Sequence, residues 1–141
     1  MLAELLKKVF RAQPDSGPQA RLQLGYTRLL ADDVKGAIEI AGGLLSDDPA
    51  SVEGHLLMAR AASAGKQWKT ALEANERVLA LHPRRADAYY LRGMVHEERQ
   101  RPEEAIADFD RVLAIDAGHA DALDRKGGLH DARGGFDLAL G

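Results

Sequence analysis

Between Ala86 and His119 the apolar positions fall into two successive stripes, each with the period of a helix. Tyr89, Gly93, His96 and Glu97 recur at helical spacing, which predicts a first helix from about Ala86 to Arg99. Gln100-Arg101-Pro102 breaks the pattern. Proline suits the first turn of a following helix, where the N–H it lacks would have no partner anyway. Glu103 and Glu104 then sit in the electropositive first turn. Ala105, Ile106, Phe109, Val112 and Leu113 form an apolar stripe that ends near Ile115, before Asp116-Ala117-Gly118. The segment reads as helix, tight turn, helix, turn.

That unit recurs along the chain. Gly25, Ala59, Gly93 and Gly127 stand 34 residues apart, and so do Ala37, Ala71, Ala105 and Ala139. Pro49 and Pro83 keep the same interval, with Ala117 in the third place. Several series in one register mark stacked supersecondary units. The spacing predicts helix pairs at Pro18 to Ala31 with Val34 to Leu45, Val52 to Ala64 with Trp68 to Leu81, and Ala86 to Arg99 with Pro102 to Ile115. A further first helix runs from Ala120 to Arg133. The chain is thus one array over 1–141, with full units at 18–51, 52–85 and 86–119 and an incomplete one at 120–141.

The ends break the symmetry. Residues 1–15 read as a lone second helix, with Val9 and Phe10 on its apolar stripe. Phe136 to Leu140 opens another second helix, and Gly141 ends the chain. Arrays finish with a polar capping element; none is visible here. The small residues explain the period. A mid-helix glycine costs about 1 kcal/mol relative to alanine, and close helix approach is the compensation. Gly93 is expected to face Ala105, with Gly25 against Ala37, Ala59 against Ala71 and Gly127 against Ala139.

Composition narrows the classes. Apolar residues make up 45% and charged residues 29%, the balance of a folded soluble chain. Aromatics at 5% fit helices packed through alanine and leucine. A net charge of −3 gives no general pull towards nucleic acid. No segment approaches the roughly 18 apolar residues that a membrane span requires, and Met1 to Phe10 lacks the form of a signal peptide. With no cysteine, disulfides and thiolate metal sites are excluded, and a cytoplasmic setting is the expectation.

Candidate chemistry is sparse. His55, His82, His96, His119 and His130 include no HExxH and no i,i+4 pair, so they read as structural, with no metal or other cofactor expected. Glu97-Glu98, Glu103-Glu104 and Asp121 with Asp124 read as solvated faces or first-turn acids rather than a general acid/base pair. Gly42-Gly43, Gly127-Gly128 and Gly134-Gly135 follow no strand and match no phosphate-binding fingerprint. Ser16, Ser46, Ser51 and Ser63 lack a GxSxG context. Lys7, Lys8 and Arg11, and the Arg84-Arg85 turn, are short basic patches without interleaved aromatics. These observations point away from an enzyme.

Leu24-Gly25, Ala37 and Pro49 in one unit, Trp68, Ala71 and Pro83 in the next, Tyr89, Gly93, Ala105 and Phe109 in the third, and Gly127, Phe136 and Ala139 in the last carry a resemblance. The pattern resembles the tetratricopeptide repeat family over nearly the whole chain. Ala59 replaces the glycine, and Arg28, Ala62, His96 and His130 fill a slot that is usually aromatic. The resemblance implies an all-α, right-handed α-α superhelix of antiparallel pairs. It also implies that first helices line a concave face that binds a peptide or partner segment.

Carried onto this chain, that face would hold Gln19, Leu22, Gln23, Tyr26 and Leu29, then Glu53, Leu56, Leu57 and Arg60. Asp87, Tyr90, Leu91, Met94 and Glu98 follow, with Asp121, Asp124, Arg125 and Asp131 on the last helix. The expected contacts are Leu22, Tyr26, Leu56, Leu57, Arg60, Tyr90, Leu91, Met94, Glu98 and Arg125. Apolar positions dominate as far as Met94 and acids beyond it. The matching partner is a segment with apolar anchors and a basic end. Some relatives hold acidic chaperone tails in a lysine/asparagine/arginine clamp. Here Leu22, Tyr26, Leu57, Asp87 and Leu91, or one unit on Leu56, Arg60, Leu91, Asp121 and Arg125, supply no such cradle. Two other readings remain open at this stage. One is a scaffold that self-assembles through its uncapped terminal helices; the other is a segment of a larger protein or enzyme.

Overall fold

The computed structural model describes residues 2–3 and 17–140, with 133–140 described by backbone course alone. The lone helix expected over 1–15, with Val9 and Phe10, lies outside the described residues apart from Leu2 and Ala3. From Pro18 onward there are seven helices and, among the described residues, no strand. They are α1 (Pro18–Leu30), α2 (Val34–Asp47), α3 (Val52–Ala64), α4 (Trp68–Leu81), α5 (Ala86–Glu98), α6 (Pro102–Ile115) and α7 (Ala120–Leu140). The first six agree with the expected spans to within two residues. The last does not: α7 runs unbroken through Gly134-Gly135 to Leu140. Glycine weakens a helix but keeps its N–H and clashes with nothing, whereas proline would end it.

The turns repeat as faithfully as the helices. Asp32, Lys66 and Gln100, again 34 apart, take left-handed φ values of 63°, 58° and 58°. After each, an N–H reaches back to a carbonyl five residues earlier: Asp33 to Arg28, Gln67 to Ala62 and Arg101 to His96, all at 2.8 Å. This closure satisfies the terminal carbonyls of each first helix and turns the chain back on itself. Pairs are joined by side-chain caps. Asp33 accepts from the Gly36 N–H at 2.9 Å and from Arg28 at 2.9 Å, and these two contacts hold its carboxyl below the ordinary range. Ser51 accepts from the Gly54 N–H at 3.0 Å and opens α3.

Each helix packs on the next, and first helices also meet, α1 with α3 and α3 with α5. The core lies at the seams. Leu56, Ala59, Ala74, Val78, Ala88 and Leu91 form one cluster spanning α3, α4 and α5. Ala105, Phe109, Val112 and Ala122 form another across α6 and α7. Arg85, just before α5, bridges Glu53 of α3 at 2.8 Å and Asp87 at 2.9 Å, so the expected solvated basic turn is instead half a clasp between units.

The small residues do permit close approach, but not in the expected pairs. A Cβ placed on Gly93 would lie 2.7 Å from Cε1 of Phe109, one turn beyond Ala105. On Gly25 it would collide with Leu57 of the next unit, and Ile40 Cγ2 would be 3.3 Å away. The alanines serve the crossing within the pair and the next unit together, Ala71 clustering with Ala62 of α3. Ala71 of α4 clusters with Val95 of α5, and Ala105 of α6 with Ala122 of α7. Their smallness makes room for the following unit. Among the described residues nothing packs within 4 Å of a Cβ built on Gly127 or Gly128, so the expected contact of Gly127 with Ala139 is not formed along the unbroken α7.

One buried polar group stands out. Asn75 of α4 sits 34 residues before Phe109 and is 0% exposed. Neither atom of its amide has a hydrogen-bond partner among the described residues.

Gly93→Leu is expected to destabilise the fold by about 3 kcal/mol or more, since the side chain must displace the Phe109 ring. Adding Phe109→Ala should recover part of that loss, giving a non-additive pair in urea denaturation. Strict additivity would show that the ring is not the obstacle.

Candidate functional site

The inner face of α3 is set by what its other faces bury. Gly54, Leu56, Leu57, Ala59, Ala61 and Ala62 go into the core, which leaves Arg60, Ser63 and Ala64 at helical spacing on one open ridge. On α5, Tyr90-Leu91, Met94-Val95 and Glu98 step along a facing ridge. Between them lies a groove of about 510 Å³, completed by Leu29 of α1, Lys66 in the turn and Trp68 of α4. Its surface is mostly apolar.

Five of the ten expected contacts line this groove: Arg60, Tyr90, Leu91, Met94 and Glu98. Tyr26 stands beside it, with the Arg60 guanidinium 6.0 Å from its ring centre. Burial pushes the Tyr26 hydroxyl above its ordinary pKa, and Arg60 pulls it back, so the phenol stays neutral. Leu22 lies elsewhere, in a shallow hollow of about 150 Å³ with Pro18, Leu44 and Glu53. Two expected contacts are corrected outright. Leu56 is 1% exposed and Leu57 0%, so neither offers surface to a partner. Leu56 fills the seam with α4 and α5, and Leu57 packs with Ala41 and Leu44 of α2. A helix with neighbours on several sides carries a stripe wider than one face, and pattern alone cannot say which part of it stays open.

Arg125 also has a different task. From α7 it donates to the Tyr90 hydroxyl at 2.9 Å and pairs with Glu97 at 2.7 Å, lying 5.8 Å from the Tyr90 ring centre. Tyr90 is further packed against Phe109 and His119, with ring centres 5.9 and 5.0 Å apart. The groove wall is thereby fixed from behind. Lys126 of α7 pairs with Asp110 of α6 at 2.6 Å, a further tie between those two helices.

Ser63, Ala64, Lys66, Trp68 and Val95 also line the groove, positions that the repeat pattern does not assign to it. Lys66 and Trp68 flank the turn after α3, where helical periodicity is broken and gives no face to assign. The Nε of Arg60 and the Oγ of Ser63 are buried and have no hydrogen-bond partner among the described residues. Neither Arg60 nor Lys66 forms an ion pair among those residues.

A polar cleft of about 260 Å³ lies on the opposite side of α5. Asp108, 1% exposed, receives two hydrogen bonds from Arg92 at 2.9 Å and one from Arg111 at 2.8 Å. Both guanidiniums lie near the Tyr89 ring, 5.6 and 5.9 Å from its centre. His96 Nε2 is 3.7 Å from the same carboxylate. One unit earlier the corresponding positions are Met58, Ala74, Arg77 and Ala62. The third unit thus clamps its helix pair with charge where the second uses apolar contact. Burial holds the His96 imidazole below its ordinary pKa, with Asp108 and Glu104 acting the other way. Among the described residues no group of three His, Cys, Asp or Glu could hold a metal, and no helix is long and apolar enough to cross a membrane.

A tetratricopeptide repeat model matches residues 57–126. Residues 57–126 belong to the tetratricopeptide repeat family. The fold of the chain is similar to that of MamA, at 28% identity and a TM-score of 0.77, covering 95% of this chain and 78% of MamA. It is also similar to a thermophilic TPR protein of Thermus thermophilus, TTC0263. There the identity is 23% and the TM-score 0.78, covering 97% of this chain and 75% of that one. The first TPR of Spaghetti (RPAP3), solved bound to the HSP90 peptide SRMEEVD, shares 21% identity at a TM-score of 0.77. That match covers 85% of this chain and 95% of the other. No curated protein matches the chain.

Asp108→Ala should cost about 3–5 kcal/mol in urea denaturation, because it strands Arg92 and Arg111 around a buried gap. His96 gives a pH signature. Its proton affinity is lower in the folded state, so the unfolded chain takes up the proton first as pH falls through about 6.5. The stability held by neutral His96 is complete above that pH and declines below it. The unfolding midpoint is expected to fall between about pH 7 and pH 5, and to fall less in His96→Gln. Equal slopes would exclude His96 as the source.

Proposed function

We propose that this tetratricopeptide repeat array is a non-catalytic interaction module whose α3–α5 groove captures a segment of a partner protein. One observation carries the reading. Two stacked first helices leave an open, largely apolar groove of about 510 Å³ whose walls are already braced. Tyr90 is held by Arg125, and Leu91 and Val95 are anchored in seam clusters. A wall ordered beforehand loses little further freedom when a ligand binds. Met94 and Tyr90, both half-buried, present adaptable and amphipathic surface of the kind that recognition faces favour. The Spaghetti domain, which has the same fold, was solved with an HSP90 peptide bound, and that supports peptide capture by an array of this kind.

A clean test must avoid the core. Leu57→Glu would bury a carboxylate among Ala41, Leu44 and Leu57's other neighbours and unfold the array, so loss of capture there would say nothing about the groove. Met94→Glu places the charge at a half-buried groove position at the margin of the Ala105–Phe109 cluster, so its urea midpoint is measured beside its capture. On a peptide array, capture by Met94→Glu is expected to drop about tenfold or more relative to wild type, with circular dichroism unchanged. Equal capture by the two proteins would rule the groove out.

A further inference from the structure

We infer that the groove selects a partner segment carrying an internal acidic side chain between apolar residues, with the carboxylate received by Arg60 and Ser63 of α3. This rests on the groove being the capture site, and deepens it by naming the chemistry of the occupant.

The argument starts from unmet hydrogen-bonding capacity. In an otherwise apolar wall, the Arg60 Nε and the Ser63 Oγ are both shut off from solvent and neither has a partner among the described residues, while the rest of the Arg60 guanidinium turns to Tyr26. Buried polar atoms are normally satisfied, and a pair of exceptions one helical turn apart marks a place where something else supplies the acceptor. Arg60 and Ser63 are i and i+3, so both face the same point in the groove. The acceptor should be charged. Arg60 forms no ion pair among the described residues, whereas Arg85, Arg92, Arg111 and Arg125 all do. Lys66, on the same rim, is likewise unpaired there and adds a second positive charge. A guanidinium N–H to a carboxylate is among the stronger hydrogen bonds available, more so against apolar walls.

The acid should be internal to the segment. The lining continues on both sides of Arg60, to Leu29 of α1 one way and to Glu98 of α5 the other. A segment lying along it therefore runs on past the anchor in both directions. Apolar neighbours of the acid would rest on Met94 and Trp68. Glu98, unpaired among the described residues, repels a second carboxylate at its own end and so fixes where the acid sits. This reverses the sign expected from the sequence, where the acids beyond Met94 suggested a basic partner. Glu97 is engaged by Arg125 and Asp110 by Lys126, while Arg60 of α3 and Lys66 of the turn after it pair with no acid among the described residues.

Trp68 is the only tryptophan and lines the groove, so its fluorescence reports occupancy without a label. The experiment selects from a random peptide display library on the wild-type chain and then titrates the selected peptide, both as found and with its acid changed to the amide. Wild type should enrich Asp or Glu flanked by Leu, Ile, Met or Phe. The amide version should bind about tenfold or more weaker. Arg60→Gln should weaken the acidic peptide by a similar factor and leave the amide peptide unchanged, the signature of a direct pair. Urea denaturation of Arg60→Gln should match wild type. Enrichment of apolar peptides without an acid, or additive effects of the two changes, would overturn the inference while the groove stood. No enrichment, or enrichment equally strong on Met94→Glu, would overturn the groove reading and this inference with it.

Discussion

Everything in this molecule depends on how closely one helix can approach the next. Gly93 lies under the Phe109 ring and Gly25 under Leu57, at separations no side chain would tolerate. Ala37, Ala71 and Ala105 are completely buried, and the latter two admit the following unit. Because the constraint recurs every 34 residues, so does the offset between units, and a regular offset is what bends a stack of pairs into a superhelix. The groove is a by-product of that curvature. First helices meet across the inside, α1 with α3 and α3 with α5, and the seam between the last two is where surface remains uncovered.

Units that share a backbone plan are held by different chemistry. The second closes on Met58, Ala62, Ala71 and Ala74, whereas the third surrounds Asp108 with two arginines and a histidine. Such a network is not an efficient way to gain stability, since desolvation offsets much of the attraction. It does fix geometry: Arg92, Arg111 and Asp108 fit together in one arrangement, and Tyr89 packs beside both guanidiniums. On the other side of α5, Arg125 does the same for Tyr90. The helix that forms one wall of the groove is thus pinned on both flanks.

The fold was legible in the sequence because its cause is periodic. Glycine, alanine and proline at a fixed interval specify both where helices cross and where they turn, and six of seven helix spans followed from them. The finer partners were not legible. Ala105 and Phe109 share a stripe, and the atoms nearest Gly93 belong to Phe109 because a ring reaches further than a methyl group. Of the ten expected groove contacts, five line it, and the misses have physical reasons. Leu56 and Leu57 belong to a helix packed on several sides, so their apolar stripe is mostly interior. Arg125 could reach an acid on its own face of the array, and Glu97 took it. Pattern reports that a residue is apolar or charged; it does not report which neighbour claims it first.

The unpartnered amide of Asn75 gives the array an uneven profile. In a stack where each pair leans only on those beside it, a closed polar group with no bond among the described residues weakens its own pair. That pair sits in the middle, between α2 and α5, and it carries Arg60 and Ser63 on its inner helix. Breathing there would part the ribbon into two halves and flex the seam on which a guest would rest. A guest bridging α3 and α5 would therefore act as a splint, and its grip would be felt across the whole length of the chain.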